Sequence, residues 1–266
     1  MDLFFRQYGQ GPPLVILHGL LGAGSNWVTL ARRVFGSYFT VYVPDQRNHG
    51  QSGHGEAFDY MTLADDIEDF FDARGLERAH VIGHSMGGKA AMEFALTRPK
   101  RVERLVVVDI APRAYPDRHS HILQAMKSVD PSSFDRRDGI EAALAARLTD
   151  PKVVQLMLKN VDRGEDGLFR WAVNLEAIEH GYPQIRDGLE TWNTWDGPAL
   201  FVRGERSDYL AEGDMELVRS YFPNARLDTV PAAGHWVHAD HPAAFSRLVL
   251  EFLGVEHPGH RFEEGG

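Results

Sequence analysis

Cysteine is absent from all 266 residues. That excludes structural disulfides, thiolate metal ligands and a cysteine nucleophile, and it fits a reducing cytoplasm, the expected location. No apolar run approaches the ~18 residues that a membrane-spanning helix needs. Positions 1–11 carry Asp2 and Arg6 around a very short apolar stretch, with neither the apolar region nor the cleavage site of a secretory leader. Long basic runs are missing too. With 28 Lys and Arg against 38 Asp and Glu the formal net charge is −10, which excludes the electrostatic footprint of a nucleic-acid or anionic-membrane binder. There is no internal repeat. A content of 43% hydrophobic and 25% charged residues argues against disorder, collagen and coiled coil. What remains is a soluble globular protein, at a length that suits one large domain with an inserted lobe.

Short β-rich apolar runs at 14–18, 39–43, 80–83, 104–109, 199–203 and 225–230 alternate with segments of helical spacing at 25–35, 62–74, 86–97, 212–221 and 242–253. Strands that are almost wholly apolar belong in a parallel sheet covered on both faces. The alternation therefore predicts an α/β fold with right-handed crossovers, and 3–8 reads as an extra edge strand. Between 112 and 196 the alternation stops. That stretch shows no convincing strand and reads as helices near 119–128, 139–148, 151–160 and 168–178. The expected organisation is a core of 1–111 and 197–254, a helical cap inserted at 112–196, and a disordered tail at 255–266.

The strongest chemical signal is Gly83-His84-Ser85-Met86-Gly87. It matches G-x-S-x-G directly after a predicted strand and directly before a predicted helix, the setting of a nucleophile elbow. A serine between two glycines in an ordinary loop is the bland alternative, and the strand-to-helix context weighs against it. His18-Gly19-Leu20-Leu21-Gly22 lies at the end of an earlier strand. An oxyanion hole in this architecture takes one N–H from such a loop and one from the residue after the nucleophile, which makes Leu20 and Met86 the candidate donors. A dinucleotide-binding reading of the same glycines fails on spacing, because Gly22-x-Gly24 is followed by Trp27 where glycine or alanine is required.

A general base must come late in the chain. Gly234-His235-Trp236 follows the last predicted strand and precedes the last predicted helix, so His235 can reach over the sheet edge to Ser85. His238 and His241 recur at three-residue steps, but they lack a carboxylate at ligand spacing and Pro242 starts a helix there, so no metal site is expected. The remaining histidines read as packing, capping or surface residues.

Taken together, His18-Gly-Leu-Leu-Gly22, Asp45-Gln-Arg-Asn-His-Gly-Gln-Ser52, Gly83-His-Ser-Met-Gly-Gly-Lys89, Val108-Asp-Ile-Ala-Pro112 and Gly234-His-Trp-Val-His-Ala239 resemble the α/β-hydrolase-fold serine esterases. Within them the sequence is similar to the bacterial YbfF-type esterases, which act on acyl esters and acyl-CoA thioesters. In the 45–52 segment Arg47 and Asn48 are expected to tie loops together, with His49 possible at the pocket rim.

The position of the acid departs from the wider superfamily pattern, in which an aspartate stands three residues beyond a glycine after the penultimate strand. Here that glycine is Gly204 and the position holds Ser207. Asp109 and Asp208 both remain as carboxylate candidates on the residues alone. The subgroup resemblance implies Asp109, with Ser207 joining the histidine network. The expectation is a Ser85-His235-Asp109 hydrolase of carboxylic esters or thioesters, working through an acyl-enzyme without cofactor or metal. The insertion would roof the pocket, with Trp236, Phe169, Trp171, Tyr182, Trp192 and Trp195 as candidate lining. The same triad also suits carbon–carbon bond hydrolysis, cofactor-free perhydrolysis, or a small-molecule receptor with little turnover. Serine at 85 disfavours a dehalogenase, whose nucleophile is aspartate.

Overall fold

The structure is a computed structural model and describes residues 1–189 and 191–255. Seven strands form one sheet: β1 (Phe5–Tyr8), β2 (Pro13–Leu17), β3 (Thr40–Pro44), β4 (Ala79–His84), β5 (Val102–Val108), β8 (Ala199–Gly204) and β9 (Ala225–Val230), in the order β1-β3-β2-β4-β5-β8-β9. All neighbours are parallel except β1, which pairs antiparallel to β3 at the edge. The strands lie where the apolar runs predict, and the reason is visible in the core. Val15, Leu17, Val81, Leu105, Val107 and Phe201 point to one face, whereas Leu14, Ile16, Ile82, Val106, Val108, Leu200 and Val202 point to the other. Side chains alternate along a strand, so continuous apolar runs require cover on both sides.

That cover comes from α2 (Tyr60–Ala73) and α3 (Met86–Thr97), with Leu63, Phe71 and Phe94 on the first face, joined there by α8 (Met215–Tyr221). On the second, α1 (Val28–Arg33) and α10 (Pro242–Phe252) bring Leu30, Phe245 and Val249. Asp59 starts α2 by accepting the Thr62 N–H at 2.7 Å, the N-cap arrangement that satisfies an otherwise free helix donor. A short helix not anticipated from the sequence, α9 (Val237–Asp240), follows the loop that carries His235.

The 112–196 segment leaves the sheet after β5 and returns before β8, two strands that pair directly. It holds α4 (Ser120–Lys127), α5 (Arg137–Ala145), α6 (Pro151–Leu158) and α7 (Leu175–Arg186), and also an antiparallel hairpin of β6 (Val161–Arg163) and β7 (Phe169–Trp171). The hairpin corrects two expectations: the segment is not strand-free, and the helix predicted over 168–178 is strand for its first part, with α7 starting only at Leu175. Asn174 caps that start through its side chain, accepting the Ala177 N–H at 3.2 Å. At the expected tail, Val255 still bonds back to Leu250 O at 3.0 Å; 256–266 lie outside the described residues.

Loops from the 45–52 segment lock the carboxyl edge of the sheet. Arg47 forms a buried two-point pair with Asp66, with Nη2 to Oδ1 at 2.7 Å. Asn48 O and Oδ1 accept the Asn174 N–H and Nδ2 from the inserted segment at 2.9 and 3.3 Å. His49 is fully buried: its Nε2 accepts the Leu21 N–H at 3.1 Å and its Nδ1 faces Arg47 O at 2.8 Å. It therefore works inside the loop and not at a pocket rim, held neutral with its pKa pushed down to about 3, chiefly by burial. Removing one partner of the buried pair leaves an uncompensated charge, so Asp66→Ala should cost about 3–5 kcal/mol in a urea-unfolding measurement; a loss under about 1 kcal/mol would show that the pair is not what locks this edge.

Candidate active site

Ser85 occupies the turn between β4 and α3 with φ 52° and ψ −120°, a left-handed conformation that costs a non-glycine residue roughly 1–3 kcal/mol. The turn is possible because its neighbours lack side chains. A Cβ on Gly83 would lie 2.1 Å from Gly87 O, and one on Gly87 would lie 2.5 Å from His18 O. Sheet hydrogen bonding continues up to the turn, with Ser85 N–H donating to Val108 O at 3.0 Å. The Ser85 hydroxyl consequently stands at the carboxyl edge of the sheet.

Asp109 follows β5 and has the same kind of backbone, φ 54°, with its N–H bonded to Val202 O of the next strand at 2.8 Å. Its carboxylate is fully buried. Gly204 N–H donates to Oδ1 at 3.0 Å, the Ser207 hydroxyl donates to Oδ2, and His235 Nδ1 lies 2.8 Å from the same Oδ2. With Nδ1–H committed to the carboxylate, His235 Nε2 is the free lone pair, and it sits 3.1 Å from Ser85 Oγ. Ser85, His235 and Asp109, drawn from three separate segments, thus form one hydrogen-bonded chain.

The loop after β8 spreads its side chains apart. Ser207 bonds the Asp109 carboxylate and accepts the Tyr209 N–H at 3.2 Å, and does not touch the imidazole directly. Asp208 turns outward to meet Arg118 at two points, 2.6 and 2.8 Å, with its side chain 74% exposed. Tyr209 then stacks on His235 with ring centroids 3.8 Å apart, and the Arg118 guanidinium covers the far face of the Tyr209 ring at 4.5 Å.

Burial sets the protonation states. It raises Asp109 to about 6, opposed by the Ser207 and Gly204 hydrogen bonds. His235 is pushed down to about 3, first by burial and then by Arg118, with Asp208 acting the other way. Near neutral pH the arrangement is therefore a carboxylate facing a neutral imidazole.

Beside Ser85 is a small cavity of about 40 Å³ bounded by Leu20, Met86, Ile110, Tyr115, Tyr182 and Tyr209, among others. Met86 is the first residue of α3, where the N–H has no intrahelical acceptor. The neighbouring loop is oriented by the His49 bond to Leu21 N–H, while Leu21 O accepts Asn160 Nδ2 of the inserted segment at 2.8 Å. Tyr182 is the one predicted aromatic that lines the cavity, its hydroxyl accepting the N–H groups of Arg118 and His119 at 3.0 Å each. The others are elsewhere. Phe169 is buried in the hairpin, and Trp171 packs in the insertion with Nε1 bonded to Val129 O at 3.1 Å. Trp195 is buried in the core with Nε1 on Pro99 O at 3.2 Å, and Trp192 is 88% exposed. Trp236 caps α9 with its ring 6.1 Å from that of His235, outside the cavity lining.

Two histidines set aside as packing or surface residues belong to the site. His84 Nε2 bonds to His235 O at 2.9 Å, fixing the backbone of the imidazole loop. His119 lines the cavity with Nδ1 3.1 Å from the Tyr182 hydroxyl. Adjacency to Ser85 was the available signal for His84; nothing in the pattern around His119 distinguished it. His238 is stacked on Trp27, ring centroids 4.0 Å apart, well inside the core.

Residues 12–242 match the alpha/beta hydrolase fold family, and the chain belongs to that family. It is an esterase/lipase-type hydrolase. The chain is 37% identical to Esterase YbfF of Escherichia coli (strain K12), across 91% of this chain and 92% of that protein. It is 38% identical to the sn-1-specific diacylglycerol lipase ABHD11 of Danio rerio, across 94% of this chain and 80% of that one. The solved structure of a marine microorganism esterase superposes with a TM-score of 0.92 at 42% identity, covering 94% of this chain and 99% of that one.

Because the Trp192 ring faces water and not the cavity, Trp192→Ala should leave kcat/KM within about twofold of wild type on short and long acyl esters alike. A selective loss on long chains would mean that the ring folds inward when substrate binds.

Proposed function

We propose that this hydrolase cleaves carboxylic esters and acyl thioesters through an acyl-enzyme on Ser85. The observation that carries the reading is the unbroken hydrogen-bonded chain from Asp109 through His235 to Ser85, at the mouth of a cavity bounded by Leu20 and Met86. Ser85 Oγ attacks the acyl carbonyl as His235 Nε2 takes its proton, and the new oxyanion lies against the Leu20 and Met86 N–H groups. The imidazolium forms against the Asp109 carboxylate and then protonates the leaving alkoxide or thiolate. Water enters, gives its proton to His235 and attacks the acyl carbon, releasing the acid and restoring the Ser85 hydroxyl. Ser207 acts one step back by holding the carboxylate, and the 112–196 segment serves as a cap that supplies Tyr182 and Arg118 to the cavity wall.

A panel of p-nitrophenyl esters and acyl-CoA thioesters tests this, with kcat/KM compared across variants. Ser85→Ala should lower kcat by roughly 10⁴- to 10⁶-fold. Asp109→Asn should lose on the order of 10³- to 10⁴-fold, while Asp208→Asn stays close to wild type. Ser207→Ala removes one hydrogen bond to the carboxylate and should cost roughly 5- to 10-fold. The opposite ranking of the two aspartates would return the acid to the loop after β8. Absence of any Ser85-dependent turnover would favour a binding protein of this fold.

The protonation states give a direction for pH dependence. The active form needs Asp109 ionised and His235 neutral, and a proton taken up by the pair inactivates it. With burial lifting Asp109 to about 6, kcat/KM should fall about tenfold per pH unit below that point and level off above it. A profile flat down to pH 4.5 would contradict the assigned acid–base pair.

A further inference from the structure

Lys89 is a buried charge beside the site that the reaction does not use. Lys89 lies four residues beyond Ser85 on α3, about 6 Å along the helix axis, and its side chain lines the same cavity. It is 1% exposed. Its Nζ donates to Arg113 O at 2.7 Å and to Asp187 O, and it faces the rings of Tyr115 and Tyr60 at 4.9 and 5.4 Å. Among the described residues no carboxylate lies within ion-pair distance of it. Arg113 and Asp187 are not arbitrary acceptors, because Arg113 stands where the inserted segment leaves the sheet and Asp187 ends α7, the last helix of that segment. The two ends are also stitched to each other, by Leu189 N–H to Pro112 O at 3.2 Å and Tyr115 N–H to Arg186 O at 2.8 Å.

We propose that Lys89 is a positioning residue that latches both ends of the inserted segment onto the nucleophile helix and so limits the length of acyl chain the cavity accepts. A buried ammonium is tolerated only where its donors are satisfied. The two carbonyls and two ring faces meet that condition, and charge-assisted bonds are the stronger kind. Neutral lysine would hold the same carbonyls weakly. Burial draws Lys89 down to about 7, with Asp187 pulling it up and Arg113 pushing it down, so the latch loses its charge within the working range of the enzyme. The groups around it do not replace that charge. Tyr60 and Tyr115 have raised pKa values and stay neutral. The Arg113 side chain pairs with Asp214 at 2.8 Å, and Arg118 with Asp208. Arg186, also at the cavity, belongs to α7 of the insertion itself. When the ammonium deprotonates, the wall formed by Tyr115, Tyr182 and Ile185 is released from α3 and longer chains gain relative to short ones.

This inference rests on Ser85-dependent ester hydrolysis, and its test separates the two. The ratio of kcat/KM for p-nitrophenyl octanoate to that for the butyrate is measured from pH 6 to 9. Both esters use the same His235–Asp109 pair, so its titration cancels in the ratio. The wild-type ratio should rise about tenfold, the worth of a charge-assisted hydrogen bond, around the point where Lys89 loses its proton. Lys89→Met should show the high ratio at every pH. Hydrogen exchange of 112–118 and 183–189, corrected for intrinsic rates, should accelerate over the same range in wild type and be fast throughout in the variant. A wild-type ratio and exchange that both stay flat with pH overturn the latch, even if Lys89→Met does not fold. Failure of ester turnover with pH-dependent exchange intact would sink the hydrolase reading alone.

Discussion

A carboxylate with no exposure to water must have its lone pairs occupied by donors, or it will take a proton and cease to be an anion. Asp109 is in that position, and the groups that satisfy it define the site. Gly204 N–H and the Ser207 hydroxyl come from β8 and the loop after it, and His235 Nδ1–H comes from the loop after β9. Register brings them together. His84 is paired with Val108, Val108 with Val202, and Val202 with Asp228, so the residues just beyond these pairs emerge in one rank along the carboxyl edge. A carboxylate at the end of β5 therefore opens onto the same edge as one at the end of β8 would.

The loop after β8 shows how the site is tied to the inserted segment. Three consecutive residues reach in three directions: Ser207 to the buried carboxylate, Asp208 to Arg118 of the insertion, and Tyr209 across the face of the His235 imidazole. The Asp208–Arg118 pair is largely exposed and adds little stability by itself. Its effect is geometric, since it holds a cation over the Tyr209 ring that shields the imidazole from solvent.

Much of this was legible in the sequence. The core strands announce themselves as apolar runs because both faces of the sheet are covered, and the elbow announces itself through Gly83 and Gly87, which no other residue could replace without meeting backbone. The β6–β7 hairpin was not legible. Its strands are three residues long, too short for alternation to register, and Leu168, Trp171, Leu175 and Ile178 recur at the three- and four-residue steps of a helix. The pocket aromatics fared worst. Large aromatic side chains bury themselves wherever a core is available, so Trp195 and Phe169 went to packing, and composition carries no signal for which ring meets a cavity. On the residues alone Asp109 and Asp208 both stand as candidates and the subgroup resemblance points to Asp109; in the structure Asp208 pairs with Arg118 while Asp109 meets His235.

The most direct test of the account is the site of covalent reaction with a fluorophosphonate, which mimics the tetrahedral acyl intermediate and reports the nucleophile without reference to any substrate. Intact-mass analysis and peptide mapping should find one adduct per chain, on Ser85, slowed by Asp109→Asn and abolished by Ser85→Ala. An adduct on another residue, or one that persists in Ser85→Ala, would contradict it.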